Sequence, residues 1–459
     1  MCVGVTQSDR MPSRRRLLAT VLSFPAWARA QGSPRYRVDT DHPRLLLPQR
    51  RARLIRREQE RDTMRWAQFK TLVEGGATFP EPGFALATYY MASGSQPRGR
   101  QAVEWALGPG NDLRQLAIVF DWCQILMSKE ESAKLEAKLR AALASPGADT
   151  PAAHRTRLFA AIALAGHGAD VLSNIVEDLY GRWWERSVTP RLKSGGLVFE
   201  PRDHFALYEM FHAMRDNFDL DLRENAPHYF STLPVFHLLA HYPAPYPGPE
   251  NEYRIPVMQA HGEPDLRGAA LNRAAALAMV AFDTNAQESQ FLQGWLIQDR
   301  FLMRGAFSIP YEFLWANPYQ PGLSYHYLPN VFHDPVNGRL LVRSSWEDDA
   351  TWFYQSGGMR QMFRDGQVIN LDRAALNTPL VMGNTTLLTL PATGRFAIEA
   401  GEEKAHYYLF GLKPEVSYNV EIDDEEMFAA GPDRGGVIEL AVPPRRRAGV
   451  RMRPSGTLH

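Results

Sequence analysis

A stretch near the middle of the chain carries the side chains best suited to proton transfer. His204, Tyr208 and His212 are spaced by four residues, so on a helix they project from one face. Because a titratable face is costly to bury in an apolar core, we expect it to line a cleft, meet polar partners or face solvent. Tyr208 is then the expected proton donor or base, and Arg202 or Arg215 would lower its pKa by favouring the phenolate. The alternative is an amphipathic helix whose polar side is simply hydrated.

Other polar side chains are candidates for binding or catalysis. His154 lies near the start of a predicted helix, with Arg155 beside it but about 100° away around the helix axis. Tyr325 and His326 lie in a predicted connection between two domains, where clefts often form. His261, followed by two carboxylates, lines a cleft or belongs to a capped turn. A purely structural role is the alternative for each of them.

A run with alternating cations follows a hydrophobic segment late in the chain. It reads MRQMFRDG, from Met359 to Gly366, and we expect it to form a strand. Since alternate residues of a strand share a face, Arg360, Met362 and Arg364 should project together. If that face meets a ligand cleft, the two guanidiniums can grip carboxylate or sulfate groups. If it faces solvent or an acidic patch, they form interface salt bridges.

The periodicity of the chain divides it into a helical part and a strand-rich part. Apolar residues recur at three- and four-residue steps from about residue 43 to 317, and a capping box at Ser128 and Glu131 opens one helix. After residue 317 the segments are short, β-branched or aromatic, and separated by Gly, Pro, Asn and Asp, which is typical of an all-β sandwich. We therefore predict a helical domain over 31–317, a linker over 318–337 and a β domain over 338–459.

The first thirty residues are typical of an export signal. Three consecutive arginines, at residues 14–16, precede a short apolar run from Leu17 to Trp27 and a small-x-small site ending at Ala30. Paired arginines before two leucines resemble a twin-arginine signal, and the alternative is an ordinary basic N-terminus. The signal predicts a periplasmic or extracellular protein that begins at residue 31.

Charge and cysteine content weigh against several classes of protein. The chain has a formal net charge of +0, and residues 1–30 hold five Arg and one Asp, which leaves −4 for the remainder. An acidic balance argues against general nucleic-acid binding. Beyond the predicted signal, Cys123 has no second cysteine with which to pair, and its apolar surroundings predict a buried thiol. No other stretch reaches about eighteen apolar residues, so we expect no membrane span.

Several segments, taken in chain order, resemble those of the heparinase II/III-like polysaccharide lyases. They read DHPRLLL, FDWCQILMS, PAAHRTRLFAAIALAGHGAD, WWERSVTPRLKSGGLVFEPRDHFALYEMFHAM and GRLLVRSSWEDDATWFYQSGG. Together they span most of the chain after residue 40, and the resemblance rests on the ordered series more than on any one segment.

The resemblance implies a fold and a reaction. These lyases have an incomplete α/α toroid followed by an antiparallel β-sandwich, and they cleave uronic-acid polysaccharides by β-elimination. The reaction needs donors that neutralise the sugar carboxylate, a base for the C5 proton and an acid for the departing O4 oxygen. Carried over by position, Tyr208 and His154 take the proton transfers, and Ala153 stands where the family has an Asn.

Many members of the family also carry a His-x-His-x-Asp pattern for a structural metal. In one register Arg360, Met362 and Arg364 occupy those positions, and a shift of one residue keeps only Asp365. Neither register supplies three ligands, and guanidiniums repel a cation. We therefore predict no metal and no cofactor.

Three functions are consistent with these residues. The first is β-elimination on an anionic polysaccharide or oligosaccharide, catalysed by Tyr208, His154 and His204. The residues expected to bind that substrate are Arg155, Arg202, His212, Arg215, Tyr325, His326, Arg360 and Arg364. The second is a glycan-binding relative without catalysis, which the missing Asn and metal pattern favour. The third is a glycoside hydrolase, for which Glu200 and Asp203 are available carboxylates.

Overall fold

Helices and strands divide the chain as the periodicity predicts. The computed structural model describes residues 36–39, 41–145, 147–167, 171–196, 198–247, 252–257, 263–298, 304–371, 376, 378–390 and 394–457. The predicted signal over residues 1–30 and the candidate His261 lie outside the described residues. The coarse prediction of a mixed α and β fold with antiparallel sheets is confirmed.

The α-helices precede residue 316. They are α1 (Gln49–Glu60), α2 (Met64–Glu74), α3 (Pro82–Ser93), α4 (Gln96–Leu107), α5 (Leu113–Trp122), α6 (Lys129–Ala144), α7 (Pro151–Ala163), α8 (Leu172–Glu177), α9 (Thr189–Lys193), α10 (His204–Phe218), α11 (Pro227–Leu239), α12 (Leu266–Phe282), α13 (Gln287–Gln298) and α14 (Ile309–Trp315). A π-helical stretch, Asp178–Val188, joins α8 to α9. The predicted capping box of Ser128 and Glu131 is present at the start of α6.

Some helices are buried on every side and others on one side only. Nearly all of α5 and α14 and most of α10 are buried, whereas α6 buries only Leu135, Leu139 and Leu143. A helix buried all round needs neighbours on every side. Helices α3, α5, α7, α10, α12 and α14 contact one another in that order, and α14 also contacts α3. This closed series forms the centre of the helical part.

The strands lie mainly after residue 330. They are β1 (Tyr246–Pro247), β2 (Glu252–Tyr253), β3 (Val331–Asp334), β4 (Arg339–Arg343), β5 (Trp352–Ser356), β6 (Met359–Arg364), β7 (Gln367–Asn370), β8 (Leu380–Met382), β9 (Thr385–Thr389), β10 (Arg395–Glu399), β11 (Ala405–Phe410), β12 (Val416–Ile422), β13 (Glu426–Ala430), β14 (Ile438–Val442) and β15 (Arg447–Thr457). Within the described residues, sheet A has the order β3-β4-β5-β6-β7, sheet B β14-β11-β9-β8 and sheet C β10-β15-β12-β13. β1 and β2 pair separately.

Alternating side chains show how the sheets stack on the helices. On β5, Trp352 and Tyr354 belong to the core of the helices, while Phe353 belongs to a core shared with sheet B. On β11, Tyr408 belongs to that second core and Leu409 to a third core between sheets B and C. Sheet A is therefore covered on both faces, which is why β4 and β5 are buried along their whole length.

Strand pairing departs from the antiparallel expectation in sheet B. There β9 and β11 run parallel, with Thr386 opposite Tyr407. Between them the chain forms β10, which pairs with β15 in sheet C. The chain thus passes through sheet C between β9 and β11, and this path is the crossover connection that a parallel pair requires.

Hydrogen bonds also join sheet A to the helices. Trp352 Nε1 donates to the carbonyl oxygen of Leu239 at 2.9 Å, and the hydroxyl of Tyr242 donates to Gln361 Oε1 at 2.7 Å. Residues 36–459 form one compact unit. Within the stretch predicted as a linker, β3 already begins at Val331.

Two simple predictions concern Cys123 and membranes. Cys123 is completely buried at the end of α5, as predicted, and burial raises the pKa of its thiol to about 12. In the part of the chain that the structure describes, every helix is too short or too polar to cross a bilayer.

A cluster of titratable side chains ties sheet A to sheet B. His333 on β3 donates from Nε2 to Asp433 at 2.8 Å and from Nδ1 to Glu439 at 3.3 Å. His406 on β11 reaches the same Glu439 carboxylate at 2.7 Å, and Tyr408 packs 5.3 Å from the ring of His333. Burial opposes protonation of His333, but the two carboxylates outweigh it and raise its pKa. Burial likewise opposes ionisation of Glu439, but the two imidazoles lower its pKa.

We expect His333→Gln to destabilise the protein more at mildly acidic than at alkaline pH. The contribution of His333 to the free energy of unfolding is complete below the ordinary histidine pKa of 6.5. It is lost as pH rises through the higher pKa that His333 has in the folded protein. The contribution of Glu439 to the free energy of unfolding is present above the ordinary glutamate pKa of 4.5. It is lost as pH falls through the lower pKa that Glu439 has in the folded protein. The loss of unfolding free energy should therefore be greatest between these two values and smaller near pH 9.

Urea unfolding of the parent and His333→Gln across this pH range tests the expectation. In a Glu439→Gln background the extra loss at acidic pH should shrink, because one of the two partner carboxylates is gone. Parent and variant curves that stay parallel at all pH values would contradict the assignment.

Candidate functional site

An open cavity of about 210 Å³ lies beside α10, the helix predicted to be catalytic. Its polar lining consists of Tyr208, Asp221, Arg223, Glu224, Ser231, Asp283, Glu288 and Ser289. A neighbouring hollow shares Asp221 and Glu224 with it and adds Tyr180, Arg215 and Asp219. We call the two hollows together the α10–α13 groove. Its carboxylates outnumber its guanidiniums.

Arg223 is held rigidly in the groove. It lies in the 3₁₀ turn Leu222–Asn225, and its Nη2 is 2.8 Å from Asp221 Oδ2 and 3.6 Å from Asp283 Oδ2. Its guanidinium lies 4.2 Å above the ring of Phe282. Burial opposes its charge, but Asp221, Tyr208 and Asp283 outweigh burial and raise its pKa. Arg223 is therefore a fixed cation with two carboxylates close to one of its nitrogens.

Tyr208 lines the same groove but is only 1 % exposed. Burial raises the pKa of its phenol, and the opposing effect of Arg223 is smaller. The expectation that a neighbouring arginine gives Tyr208 a lowered pKa is therefore wrong, because loss of hydration outweighs the nearby cation. At neutral pH Tyr208 is a hydroxyl donor, not a base.

The arginines proposed to act on Tyr208 have other partners. Arg202 is exposed and pairs with Glu200 at 2.9 Å. Arg215 borders the second hollow of the groove, where its Nη1 donates to the carbonyl oxygen of Phe282 at 2.6 Å. Arg223, which sequence reasoning missed, is the cation near Tyr208.

The two histidines on the predicted face of α10 are buried and lie in different surroundings. His212 Nε2 donates to the carbonyl oxygen of Ala278 at 3.0 Å, so its Nδ1 accepts from Arg51 and Arg215, each at 3.3 Å. Burial lowers the pKa of His212 and of His204 well below the ordinary range. His204 is 2 % exposed, and its ring lies 6.0 Å from that of His237.

His154 and Arg155 diverge on α7, as their adjacency predicts. The ring of His154 stacks 4.3 Å from that of Trp183, and its Nε2 lies 2.9 Å from Asp149. Burial lowers the pKa of His154, against the effect of Asp149. Tyr208 lines the α10–α13 groove, and His154 is not among the lining residues.

Arg155 instead belongs to a buried network of charges. Glu209 on α10 is completely buried and accepts from Arg114 at 2.6 and 2.9 Å and from Arg155 at 2.8 Å. Arg114 also lies 3.7 Å from Glu81, which accepts from the hydroxyl of Tyr311. Burial opposes the charge of Arg114, but Glu209, Tyr311 and Glu81 together raise its pKa.

This network marks one end of the closed helix series. Glu81 immediately precedes α3, Arg114 lies in the first turn of α5, and Tyr311 lies in the first turn of α14. Arg267, in the first turn of α12, reaches Glu81 at 3.7 Å. Sequence reasoning missed Glu81, Arg114 and Glu209, although a charged side chain inside or next to an otherwise apolar helix is a usable signal.

Arg360 and Arg364 are on the face of β6 that turns away from the helices. Met362 between them packs in the core shared with sheet B, while Phe363 packs in the core of the helices. Arg360 Nε donates to Gln355 Oε1 at 2.9 Å, and Arg364 is exposed beside Asp365 at 3.5 Å. Neither arginine lines the α10–α13 groove.

The remaining candidates also lie outside the groove. Tyr325 and His326 stack with ring centroids 4.4 Å apart, and Trp346 packs 5.0 Å from Tyr325. Glu200 and Asp203, the carboxylates considered for hydrolysis, form a capping box on the 3₁₀ turn Pro201–Asp203 that precedes α10, where the backbone N–H of Glu200 donates to Asp203 at 3.0 Å. Within the described part of the chain no group of three or more histidines, cysteines and carboxylates is arranged to hold a metal ion.

Comparison with known proteins places the chain in no family. No family model matches the sequence. No curated protein matches it. Among solved structures, a similar chain is a glycoside hydrolase, with a TM-score of 0.31 and 9 % identity, covering 88 % of this chain and 75 % of that one. A likeness this weak carries no argument about function.

We expect Glu209→Gln to destabilise the protein by about 3 kcal/mol, because it leaves Arg114 and Arg155 as buried cations without their carboxylate. The matched control is Glu402→Gln, which removes a carboxylate from an exposed pair with Arg445 and should cost less than about 0.5 kcal/mol. Equilibrium denaturation in guanidinium chloride measures both changes. Equal effects for the two variants would show that the network contributes no more than a surface ion pair.

Proposed function

We propose that the protein binds a neutral or amino-sugar oligosaccharide in the α10–α13 groove and does not cleave uronic-acid glycans by β-elimination. The observation that carries this proposal is the placement of Tyr208, buried and protonated beside Arg223, in a groove rich in carboxylates. This is the glycan-binding alternative raised by the sequence, with a different charge preference.

The chemistry of the groove supports a sugar ligand. Carboxylates accept hydrogen bonds from sugar hydroxyls, while Tyr208 and Ser289 can donate. Phe230 and Pro234 add apolar surface for the carbon faces of a pyranose ring. The adjoining hollow extends the lining, which suits a ligand of more than one residue.

The charge of the groove disfavours an anionic glycan. Its carboxylates are Asp219, Asp221, Glu224, Asp283 and Glu288, against the guanidiniums of Arg215 and Arg223. Arg223 is already held by Asp221 and Asp283, so a uronate would have to displace a carboxylate to bind it. Like charges at such distances repel.

β-Elimination by the predicted residues is disfavoured for a separate reason. The reaction needs a base at C5 and an acid at O4 within reach of one sugar. Tyr208 resists deprotonation, and His154 is bonded to Asp149 and stacked on Trp183 instead of facing the groove. The raised pKa of Tyr208 suits a hydrogen-bond donor.

The proposal includes the toroid-and-sandwich fold and the location outside the cytoplasm that the sequence implies. The closed series of six helices supports an α/α toroid, and the stacking of sheets B and C supports a β-sandwich. A sugar-binding role would suit a periplasmic or extracellular protein, which remains a prediction.

The test is isothermal titration calorimetry against neutral, amino-sugar and uronic-acid oligosaccharides. We expect binding to neutral or amino-sugar chains, and Tyr208→Phe should weaken it about fivefold by removing one donor. Tyr319→Phe, an exposed tyrosine outside the groove, serves as the control and should leave the affinity unchanged. Absence of binding to every neutral and amino-sugar ligand would refute the proposal.

Activity assays on the same ligands separate the other functions. Ultraviolet absorbance from unsaturated uronate ends, lost in a Tyr208→Phe, His154→Ala double variant, would establish a lyase and overturn the proposal. Release of reducing ends without that absorbance would show that the bound sugar is hydrolysed. The assignment of the groove would then be correct only if Asp283→Asn abolished this hydrolysis.

A further inference from the structure

A second polar site lies buried where α10 and α11 meet sheet A. It consists of Arg339 on β4, Tyr229 and His237 on α11, and His204 on α10. These side chains are 1 %, 1 %, 3 % and 2 % exposed, respectively. The guanidinium of Arg339 lies 4.7 Å from the ring centre of Tyr229 and 4.2 Å from that of Phe236. We call this group the Arg339 cluster.

Many polar atoms of the Arg339 cluster have no hydrogen-bond partner among the described residues. They are Nε and Nη1 of Arg339, the hydroxyl of Tyr229, both ring nitrogens of His204 and Nε2 of His237. Each such buried atom costs about 1–3 kcal/mol if it stays unsatisfied. Their concentration in one place points to a bound species that is not part of the chain.

Arg339 is the one charged member of the Arg339 cluster. Burial lowers the pKa of His204 well below its ordinary value and that of His237 to about 4, so both imidazoles are uncharged at neutral pH. Burial also raises the pKa of Tyr229, which keeps its phenol protonated. Arg339 remains a cation, since a guanidinium does not deprotonate in proteins.

Asp334 is a counter-charge that acts on Arg339 at a distance, but it makes no direct ion pair with it. The described residues place no carboxylate within ion-pairing distance of Arg339. Asp334, opposite Arg339 on β3, is bonded instead to His228 at 3.1 Å and to Asn337 at 2.6 Å. Burying a cation without a partner costs several kcal/mol.

We propose that the Arg339 cluster binds a small monovalent anion of the size and charge of chloride. The guanidinium of Arg339 provides the charge and two N–H donors, and the Tyr229 hydroxyl provides a third donor. The neutral imidazole of His204 carries one N–H that can turn to the same ion, whereas the N–H of His237 bonds to the backbone of Asn272. An anion would stabilise the contact between the helices and sheet A, where the cluster lies.

The chemistry favours an anion over water. A buried water molecule satisfies hydrogen-bond donors but leaves Arg339 without a directly bonded counter-charge. A chloride ion does both, and every polar atom named above except one nitrogen on each neutral imidazole is a donor.

Thermal unfolding of the full chain tests this proposal. Sodium chloride is exchanged for sodium gluconate at constant ionic strength, so that only the identity of the anion changes. We expect the Tm to rise by about 2 °C with chloride, because a ligand that binds only the folded state stabilises it. In Arg339→Met the difference between the two salts should vanish.

The matched control is Arg273→Met. Arg273 is a buried arginine that already has a carboxylate partner, Glu312, at 3.0 Å. That variant should be less stable than the parent but keep the full chloride response. If Arg339→Met does not fold, Tyr229→Phe takes its place in the experiment. This variant keeps the charge of Arg339 but loses the hydroxyl donor of Tyr229. The chloride concentration that gives half of the rise in Tm should then increase several-fold.

Crystals grown with sodium bromide provide the direct observation. An anomalous difference peak between Arg339 and Tyr229 would support the site. The absence of a peak, together with equal Tm values in chloride and gluconate, would show that the cluster holds only water and would overturn the proposal. A chloride response that persists unchanged in Arg339→Met, or in Tyr229→Phe, would overturn it as well.

Discussion

A carboxylate with no exposed surface is costly inside a helical core unless hydrogen-bond donors or cations are held against it. Glu209 is such a group, and Arg114 and Arg155 reach it from α5 and α7. The three residues connect consecutive members of the closed helix series, and Arg114 extends the connection to Glu81 before α3. Loss of Glu209 would leave both guanidiniums without this carboxylate, so these helices are constrained to a common arrangement at this end.

This constraint also determines what the neighbouring residues can do. With Arg155 committed to Glu209, His154 points elsewhere and stacks on Trp183. With Glu209 facing the centre of the helices, Tyr208 faces Arg223 and the α10–α13 groove. His154 and Tyr208, which were expected to cooperate in proton transfer, therefore have different neighbours.

Sheet A is the second organising element, because both of its faces are buried. Trp352 and Tyr354 seal one face against the helices, and Phe353 packs the other against sheet B. Placing Arg339 on such a strand forces its guanidinium into the interior, above two aromatic rings. Because this site is buried, the donors around Arg339 have no bulk water to bond to. A bound anion would accept their hydrogen bonds and balance the charge of Arg339.

Local patterns in the sequence determined the division into helices and strands, the capping box of α6, the buried thiol of Cys123 and the divergence of His154 from Arg155. These features depend on neighbours within a few residues, where helical and strand periodicity act directly. Only the tertiary structure decided that Glu209 meets Arg114, and that Arg223 and Asp283 form one groove with Tyr208. Those partners are far apart in the chain, and periodicity indicates which side of a helix is polar but not which distant side chain will face it. The same limit explains the pKa of Tyr208, since its burial is set by packing between helices and outweighs the cation beside it.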